Sequence, residues 1–153
     1  MNRKKGKIEI KKKLINHLIV HGKKTKSEKI VLRSLKALQR VSKKSAQKLF
    51  QLALVHNTPV FKLNTITQKK RKKKKQKVKI IPAFISDRTS RVSFAIKFIV
   101  TAASKRNNQP LFQKLLNEIL ISSQNKSNAI EEKKETQKQA LLNRHLFKYY
   151  RWH

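Results

Sequence analysis

The chain has 153 residues, and its 40 Lys and Arg against seven Asp and Glu give a formal net charge of +33. Such a surface repels itself unless a polyanion neutralises it, and nucleic acid is the partner that this charge favours, through phosphate neutralisation and counterion release. Because the chain has no Cys and only two Gly, a disulfide framework, a Cys-ligated zinc site and a Gly-rich phosphate loop are excluded.

An anionic membrane surface is the other polyanion that the charge permits. The apolar stretches are interrupted by Lys every few residues, and none approaches the roughly 20 uncharged residues that a spanning helix needs. Residues 1–13, which include Lys4 and Lys5, carry charge without strong periodicity and are predicted to form a basic N-terminal arm. This arm lacks the apolar segment of a secretory signal and the composition of a transit peptide. Residues 14–153 are predicted to form a single helical domain.

Three helices are predicted in the N-terminal third of the chain. Apolar residues at helical spacing in 14–21 predict the first helix, with Gly22 as its C-terminal cap. At the start of the second, Thr25 and Glu28 have the spacing of a capping box, in which each side chain accepts from the backbone N–H of the other residue. The predicted buried stripe of this helix is Val31, Leu35, Leu38 and Val41. Ser45 begins the third helix.

A hairpin is predicted at about residues 60–82. Residues 60–66 and 78–81 are β-branched and partly alternating, which is typical of short strands, and Pro82 ends the second strand. The tip carries seven consecutive cations, which are Lys69, Lys70, Arg71, Lys72, Lys73, Lys74 and Lys75. Such a run can be a nuclear-localisation signal, a solvated loop or a finger that follows phosphates. Its position at the tip of a β-ribbon favours the finger.

Three more helices are predicted after the hairpin. Asp87 is placed to cap the fourth helix, whose apolar face is widened by Phe98. Pro110 suits the first position of the fifth helix, and the sixth begins near Ala129. The predicted fold class is therefore mainly α, a six-helix bundle with a β-hairpin protruding between the third and fourth helices.

The sequence predicts neither a metal site nor a catalytic site. His17 and His21 stand four residues apart, but helical zinc peptidases need a Glu beside the first His, and Leu18 is there. A helix face that meets RNA or solvent is the simpler interpretation. The acids include helix caps and a group at 131–135 surrounded by Lys, and no pair is placed for general acid–base catalysis. We expect no enzymatic activity, no cofactor and no small-molecule substrate.

The C-terminus interleaves cations with aromatic residues. Unpaired bases stack on aromatic rings while cations contact phosphate. The candidate RNA contacts of this segment are Lys148, Tyr149, Arg151 and Trp152. Packing of Phe147 and Tyr150 into the core is the alternative, and both interpretations can hold for different residues.

Four segments of the chain stand in a recognisable order. They are LIVHGKK at 18–24 with the helix that follows, AIKFIVTAASKR at 95–106, residues 117–130, and FKYYRW at 147–152. Together they resemble the small-subunit ribosomal protein seven family, of the bacterial and organellar type, over nearly all of the chain from about residue 14 to residue 152. They are similar to the family's Gly-Lys-Lys turn, its central helix, the end of its fifth helix and its terminal Phe-Ala-His-Tyr-Arg-Trp. The family usually has Arg-Trp where Lys97 and Phe98 stand here.

The resemblance implies a six-helix bundle with a hairpin between the third and fourth helices, in agreement with the periodicity. It implies that the protein binds the 3′ major domain of small-subunit rRNA in the head, beside other small-subunit ribosomal proteins, and helps to nucleate assembly there. It also implies that the hairpin and the C-terminal helix lie near the exit-site tRNA and the mRNA path. The residues then expected to contact rRNA are Lys4, Lys5, Lys23, Lys24, Arg91, Lys97, Lys105 and Arg106.

Two features depart from the family pattern. The basic arm is short, and residues 69–77 replace a Gly-Gly turn that is usual at the hairpin tip. Three features favour an organelle-encoded protein of a mitochondrial ribosome over a plastid or bacterial one. They are a bias toward Lys, Ile and Asn, as an AT-rich coding sequence gives, the absence of a presequence, and the tryptophan-bearing terminus. A DNA-compacting architectural protein is the alternative function that the charge alone permits.

Overall fold

The computed structural model describes residues 10–42, 45–68, 77–106 and 108–149. Within these ranges, six α-helices and one antiparallel hairpin follow the predicted order, so the predicted fold class is confirmed. The helices are α1 (Ile10–Leu18), α2 (Lys24–Val41), α3 (Ala46–Asn57), α4 (Arg88–Lys105), α5 (Leu111–Ser123) and α6 (Asn128–Leu142). The strands β1 (Phe61–Gln68) and β2 (Lys77–Phe84) lie between α3 and α4, and a 3₁₀ helix, Arg144–Tyr149, follows α6.

The hydrophobic core is centred on α4 and α5. α5 packs against α2, α3 and α4, and α4 also contacts α1 and α6. The large apolar side chains that these two helices bury completely are Ile96, Ile99, Leu115 and Ile119. Their spacing of three to four residues places them on one stripe of each helix. Each such burial contributes roughly 1.5–3 kcal/mol, so the α4–α5 contact positions the other elements.

The first helix begins earlier than predicted. Residues 10–13, assigned from the sequence to the arm, form the first turn of α1, and Ile10 packs against the core. α1 ends at Leu18, so Gly22 does not cap it directly. His21 and Gly22 instead form the turn to α2 with φ values of 49° and 71°. Glycine suits position 22 because residues with a side chain rarely adopt this backbone conformation.

The predicted capping box at Thr25 is wrong. α2 begins at Lys24, and Lys23 occupies the N-cap position without a side-chain cap hydrogen bond. The Ser27 hydroxyl instead donates to the carbonyl of Leu18 at 3.0 Å. This bond fastens the start of α2 to the last turn of α1, so the connection between the helices is made by tertiary contact rather than by a local cap.

The hairpin is longer than predicted, and Pro82 lies inside β2 instead of ending it. Pro82 stands opposite Leu63. The Ile85 N–H donates to the Val60 carbonyl at 3.0 Å, and bonded and non-bonded pairs alternate along an antiparallel ladder. Val60 and Ile85 form a bonded pair, so the pair three positions further along, Leu63 and Pro82, is non-bonded. The missing proline N–H therefore removes no ladder hydrogen bond.

Asp87 caps α4 as predicted. Its carboxylate accepts from the backbone N–H of Thr89 at 3.2 Å and of Ser90 at 3.0 Å, and also from both hydroxyl groups. These hydrogen bonds, that of the Thr89 hydroxyl first, lower the pKa of Asp87 from 3.8 to about 2. Ser45 and Ser127 cap α3 and α6 through their hydroxyl oxygens.

We expect Asp87→Ala to lower the midpoint of thermal unfolding at pH 7, because four donors at the start of α4 lose their acceptor. The folded carboxylate has the lower pKa, so its stabilisation is complete above pH 3.8 and is lost as the pH falls toward about 2. The difference in midpoint between the wild type and the variant should shrink over that interval. An equal difference at neutral and at strongly acidic pH would contradict capping by the ionised carboxylate.

Candidate nucleic-acid interface

Several of the seven carboxylates make contacts within the protein. Apart from the cap at Asp87, three of them lie beside a cation, in the pairs Glu28–Lys24, Glu132–Lys105 and Glu118–Arg106. Seven acids cannot balance 40 cations, so the net charge of +33 remains whatever pairs form. The surface of the protein is therefore strongly positive, which favours a polyanionic partner.

The most buried ion pair joins Glu118 of α5 to Arg106, the residue after α4. One carboxylate oxygen of Glu118, Oε2, accepts from Arg106 Nη2 at 2.7 Å and from Nε at 2.9 Å. The Glu118 side chain is 0% exposed and that of Arg106 is 29% exposed. The other oxygen, Oε1, has no hydrogen-bond partner within the described residues. Arg106, predicted to contact rRNA, therefore holds α5 against the end of α4.

α1 and α4 lie side by side and bring three basic residues together. The Lys13 ammonium donates to the Thr89 carbonyl at 3.0 Å, and His17 Nε2 lies 2.8 Å from the Ser93 hydroxyl. The two contacts are one turn apart on both helices, so the helices run in the same direction here. Lys97 is exposed one turn beyond Ser93. We call Lys13, His17 and Lys97 the α1–α4 basic cluster.

The base of the hairpin is anchored by Arg91 of α4. Its Nε donates to the Ile85 carbonyl at 2.6 Å, and its guanidinium lies 5.2 Å from the centroid of the Phe84 ring. Phe84 contacts Phe61 with 6.1 Å between centroids, and Phe61 contacts Phe147 with 5.5 Å. Arg91, predicted to contact rRNA, thus fixes the hairpin to the bundle. Phe147 packs half-buried against β1 and outside the hydrophobic core, and Tyr150, the other residue of the alternative interpretation, lies outside the described residues.

The other predicted RNA contacts fall into four groups. Lys23 and Lys24 are exposed where α2 begins, and Lys148 is exposed on the 3₁₀ helix. Lys105 bonds to Glu132 of α6. The structure gives the backbone of Tyr149 at the end of the 3₁₀ helix but not the placement of its side chain. The remaining predicted contacts lie outside the described residues: Lys4, Lys5, Lys69, Lys70, Arg71, Lys72, Lys73, Lys74, Lys75, Arg151 and Trp152.

Sequence reasoning missed three features of this interface. Lys13 was assigned to the arm and not to α1. The contact of His17 with Ser93, 76 residues away, was not predicted, and Glu118 was not recognised as buried. The sequence does indicate the burial of Glu118, because this residue lies between Leu115 and Ile119 on the apolar stripe of α5. A carboxylate in that position needs a cation beside it. The other two depend on how α1 packs against α4.

The fold and its charge define the class of protein. A mainly helical bundle with a large excess of cations and a basic segment between the two strands of a β-ribbon is typical of a structural protein that binds nucleic acid. Among the described residues, no group of three or more His, Asp and Glu side chains is placed to hold a metal ion. None of the helices given above is both long enough and apolar enough to cross a membrane.

Comparison with known proteins specifies this class. The family model of ribosomal protein S7p/S5e matches residues 1–144. The chain is 31% identical over 140 residues to small ribosomal subunit protein uS7 of Thermotoga petrophila, covering 92% of this chain and 85% of the relative. It is 33% identical over 144 residues to uS7 of Wigglesworthia glossinidia brevipalpis, with coverage of 94% and 87%. It is 30% identical over 148 residues to uS7 of Acidithiobacillus ferrooxidans, with coverage of 97% and 90%.

The chain belongs to the ribosomal protein S7p/S5e family, as the resemblance of its four segments predicted. It is therefore a ribosomal protein, and the relatives named above are proteins of the small subunit.

Proposed function

We propose that the chain is a structural constituent of the small ribosomal subunit that binds the 3′ major domain of the rRNA in the head and helps to nucleate its assembly. Its partners are this rRNA and neighbouring small-subunit proteins, and the exit-site tRNA and the mRNA path lie near its hairpin and C-terminus. It carries no enzymatic activity. The observation that supports this most directly is the net charge of +33, in a chain whose few acids include Asp87, Glu118 and Glu132, which are engaged within the fold.

The predicted contacts divide into two kinds of role in this proposal. Lys23, Lys24 and Lys97 are exposed on a turn or a helix, where they can meet phosphates directly. Arg91 and Arg106 act by holding the hairpin and α5 in place. Phosphate contacts of the first kind set position and register without reading bases, which suits a protein that orders an rRNA domain.

Chemical footprinting of the isolated 3′ major domain tests the proposal. We expect the full chain to protect sugars of that domain at concentrations that leave the 5′ domain of the same rRNA unprotected. The 5′ domain is the matched control, because it carries a similar density of phosphate charge. Equal protection of both domains would show that the chain binds RNA only as a nonspecific polycation.

We further propose that the hairpin tip, Lys69–Lys75, contacts tRNA or rRNA through phosphates. Replacing all seven residues by Gln should impair function near the exit site more than initial rRNA binding, because the helical body carries most of the basic surface. Exchanging each Lys for Arg, or shuffling the segment, is the matched control and should leave translation largely intact, since phosphate contacts depend on charge rather than order. Unchanged footprints and normal translation with the Gln variant would mean that the tip is only a solvated loop.

The ribosome in question is proposed to be mitochondrial. The Lys, Ile and Asn bias of the sequence is the feature that supports this location. An antibody raised against the chain should detect it in the small ribosomal subunit isolated from purified mitochondria. Detection only in the plastid or in the cytoplasm of a bacterium would contradict the location without contradicting the ribosomal role.

A further inference from the structure

The α1–α4 basic cluster has features that a general cationic surface does not require. Lys13 and His17 are each held to α4 by a hydrogen bond, at 3.0 Å to the Thr89 carbonyl and at 2.8 Å to the Ser93 hydroxyl. Their positions are therefore set by the packing of two helices. Lys97, one turn after Ser93, completes a short row of basic residues along the seam between α1 and α4.

The imidazole of His17 lies in a positive field. Partial burial and then the charges of Lys13 and Lys97 lower its pKa below 6.5. The ring is therefore mostly in its neutral form at pH 7, although it lies beside two ammonium groups that suit an anion. An anion placed beside the two ammonium groups would reverse this field and favour the protonated ring.

We propose that Lys13, His17 and Lys97 form a phosphate-binding site in which His17 takes up a proton from solvent as an RNA phosphodiester binds. The inference rests on the proposed binding of rRNA and adds to it a specific site and a dependence on pH. Two ammonium groups and an imidazolium supply three charge-assisted donors, and such hydrogen bonds to anionic oxygens are stronger than neutral ones.

The groups that face His17 come from both helices of the seam. Lys13 lies on its own helix, and Ser93 and Lys97 lie on α4. α2 meets α1 elsewhere, where the Ser27 hydroxyl bonds to the Leu18 carbonyl. Within the described residues, Lys13 and Lys97 are the charged groups that shift the pKa of His17. Both disfavour its protonation, so a bound phosphate is the change that can reverse the shift.

The direction of the pH effect follows from linkage. The pKa of His17 is low in the free protein and rises in the complex, so binding takes up a proton when the pH lies between the two values. The affinity for RNA should then increase as the pH falls from about 8 to about 6. One proton can change the affinity by at most about tenfold per pH unit, and we expect roughly threefold or more over this interval.

The test measures the affinity of the full chain for a 3′-domain rRNA fragment at constant ionic strength across this interval, for the wild type and His17→Gln. Gln keeps a polar group opposite Ser93 but cannot be protonated. The wild type should gain affinity on acidification, and His17→Gln should not. His145→Gln is the matched control, because His145 is exposed on the 3₁₀ helix, and it should behave as the wild type.

Proton NMR of the histidine rings gives a second measurement on the same proteins. The pKa of His17, assigned by comparison with His17→Gln, should rise on adding the rRNA fragment and stay unchanged with millimolar inorganic phosphate. An equal response to inorganic phosphate would overturn the assignment to the RNA backbone. The same pH dependence in the wild type and His17→Gln would overturn the site while leaving the proposed function intact. Absence of RNA binding at every pH would overturn the proposed function as well.

Discussion

The affinity of the chain for a 3′-domain rRNA fragment should fall by roughly 10³–10⁵ between 50 and 200 mM monovalent salt if about ten phosphates are contacted. Each neutralised phosphate releases condensed counterions, and added salt weakens this release. The expectation follows from a net charge of +33, which the seven acids cannot offset. Filter binding or fluorescence anisotropy over this range gives the slope of log affinity against log salt.

The same titration can show which cations contribute. Lys23→Gln with Lys24→Gln removes two exposed charges from the start of α2, and should make the slope shallower by about two. Lys134→Gln with Lys138→Gln is the matched control, because it removes two exposed charges from α6. We expect this control to change the slope less. A nearly flat dependence for the wild type would reject phosphate neutralisation as the main driving force.

Arg106→Met should destabilise the fold by about 3–5 kcal/mol, because it leaves the carboxylate of Glu118 buried without its cation. Glu118 is 0% exposed, so water cannot replace the lost donors without opening the contact between α4 and α5. Because the Arg106 side chain is 29% exposed, we expect the loss of stability to lie near the lower end of this range. Urea unfolding at high ionic strength, where self-repulsion is screened, measures the change.

The double variant Arg106→Met with Glu118→Leu is the control for this prediction. It removes both charges and keeps side chains of similar size, so most of the stability should return. Lys105→Met, which breaks the more exposed pair with Glu132, should cost far less, because surface pairs contribute at most about 1 kcal/mol. Equal losses for Arg106→Met and Lys105→Met would show that burial of Glu118 does not set the energy of its pair.

The sequence predicted the features that depend on local pattern. The caps at Asp87 and Ser45 were found because a short polar side chain preceded an apolar run. Phe98 was assigned to the apolar face of α4 from its spacing, and it packs against the core. Two predictions based on the same rules were wrong at α2. Thr25 does not cap it, and Val41, assigned to the buried stripe, is 66% exposed at the last residue of the helix.

The errors share a physical cause. Helical spacing gives the face on which a residue lies, but the neighbouring helices decide how far along that face the core extends. Val41 continues the stripe of Leu38 at the end of α2, yet only Leu38 is covered. Pro82 was taken as the end of a strand because proline has no N–H to donate to a ladder. Whether that N–H is needed depends on the pairing register, which only the folded hairpin defines.

The predicted contacts differ in how the structure places them. Lys23, Lys24 and Lys97 were identified through the family resemblance and are exposed in the structure. Arg91 and Arg106 were identified in the same way, but their side chains bond within the protein. The sequence does not separate these two groups, because a guanidinium that binds phosphate and one that holds a hairpin look alike until their neighbours are known.

Sedimentation of the chain with the small ribosomal subunit tests the central claim most directly. An antibody against the chain should detect it in the small-subunit fraction of a sucrose gradient, and this position should survive treatment of the lysate with DNase. Digestion with RNase should release the chain to the top of the gradient. If RNase left the chain in a fast-sedimenting complex and DNase released it, the protein would be a DNA-compacting architectural protein and the ribosomal function would be contradicted.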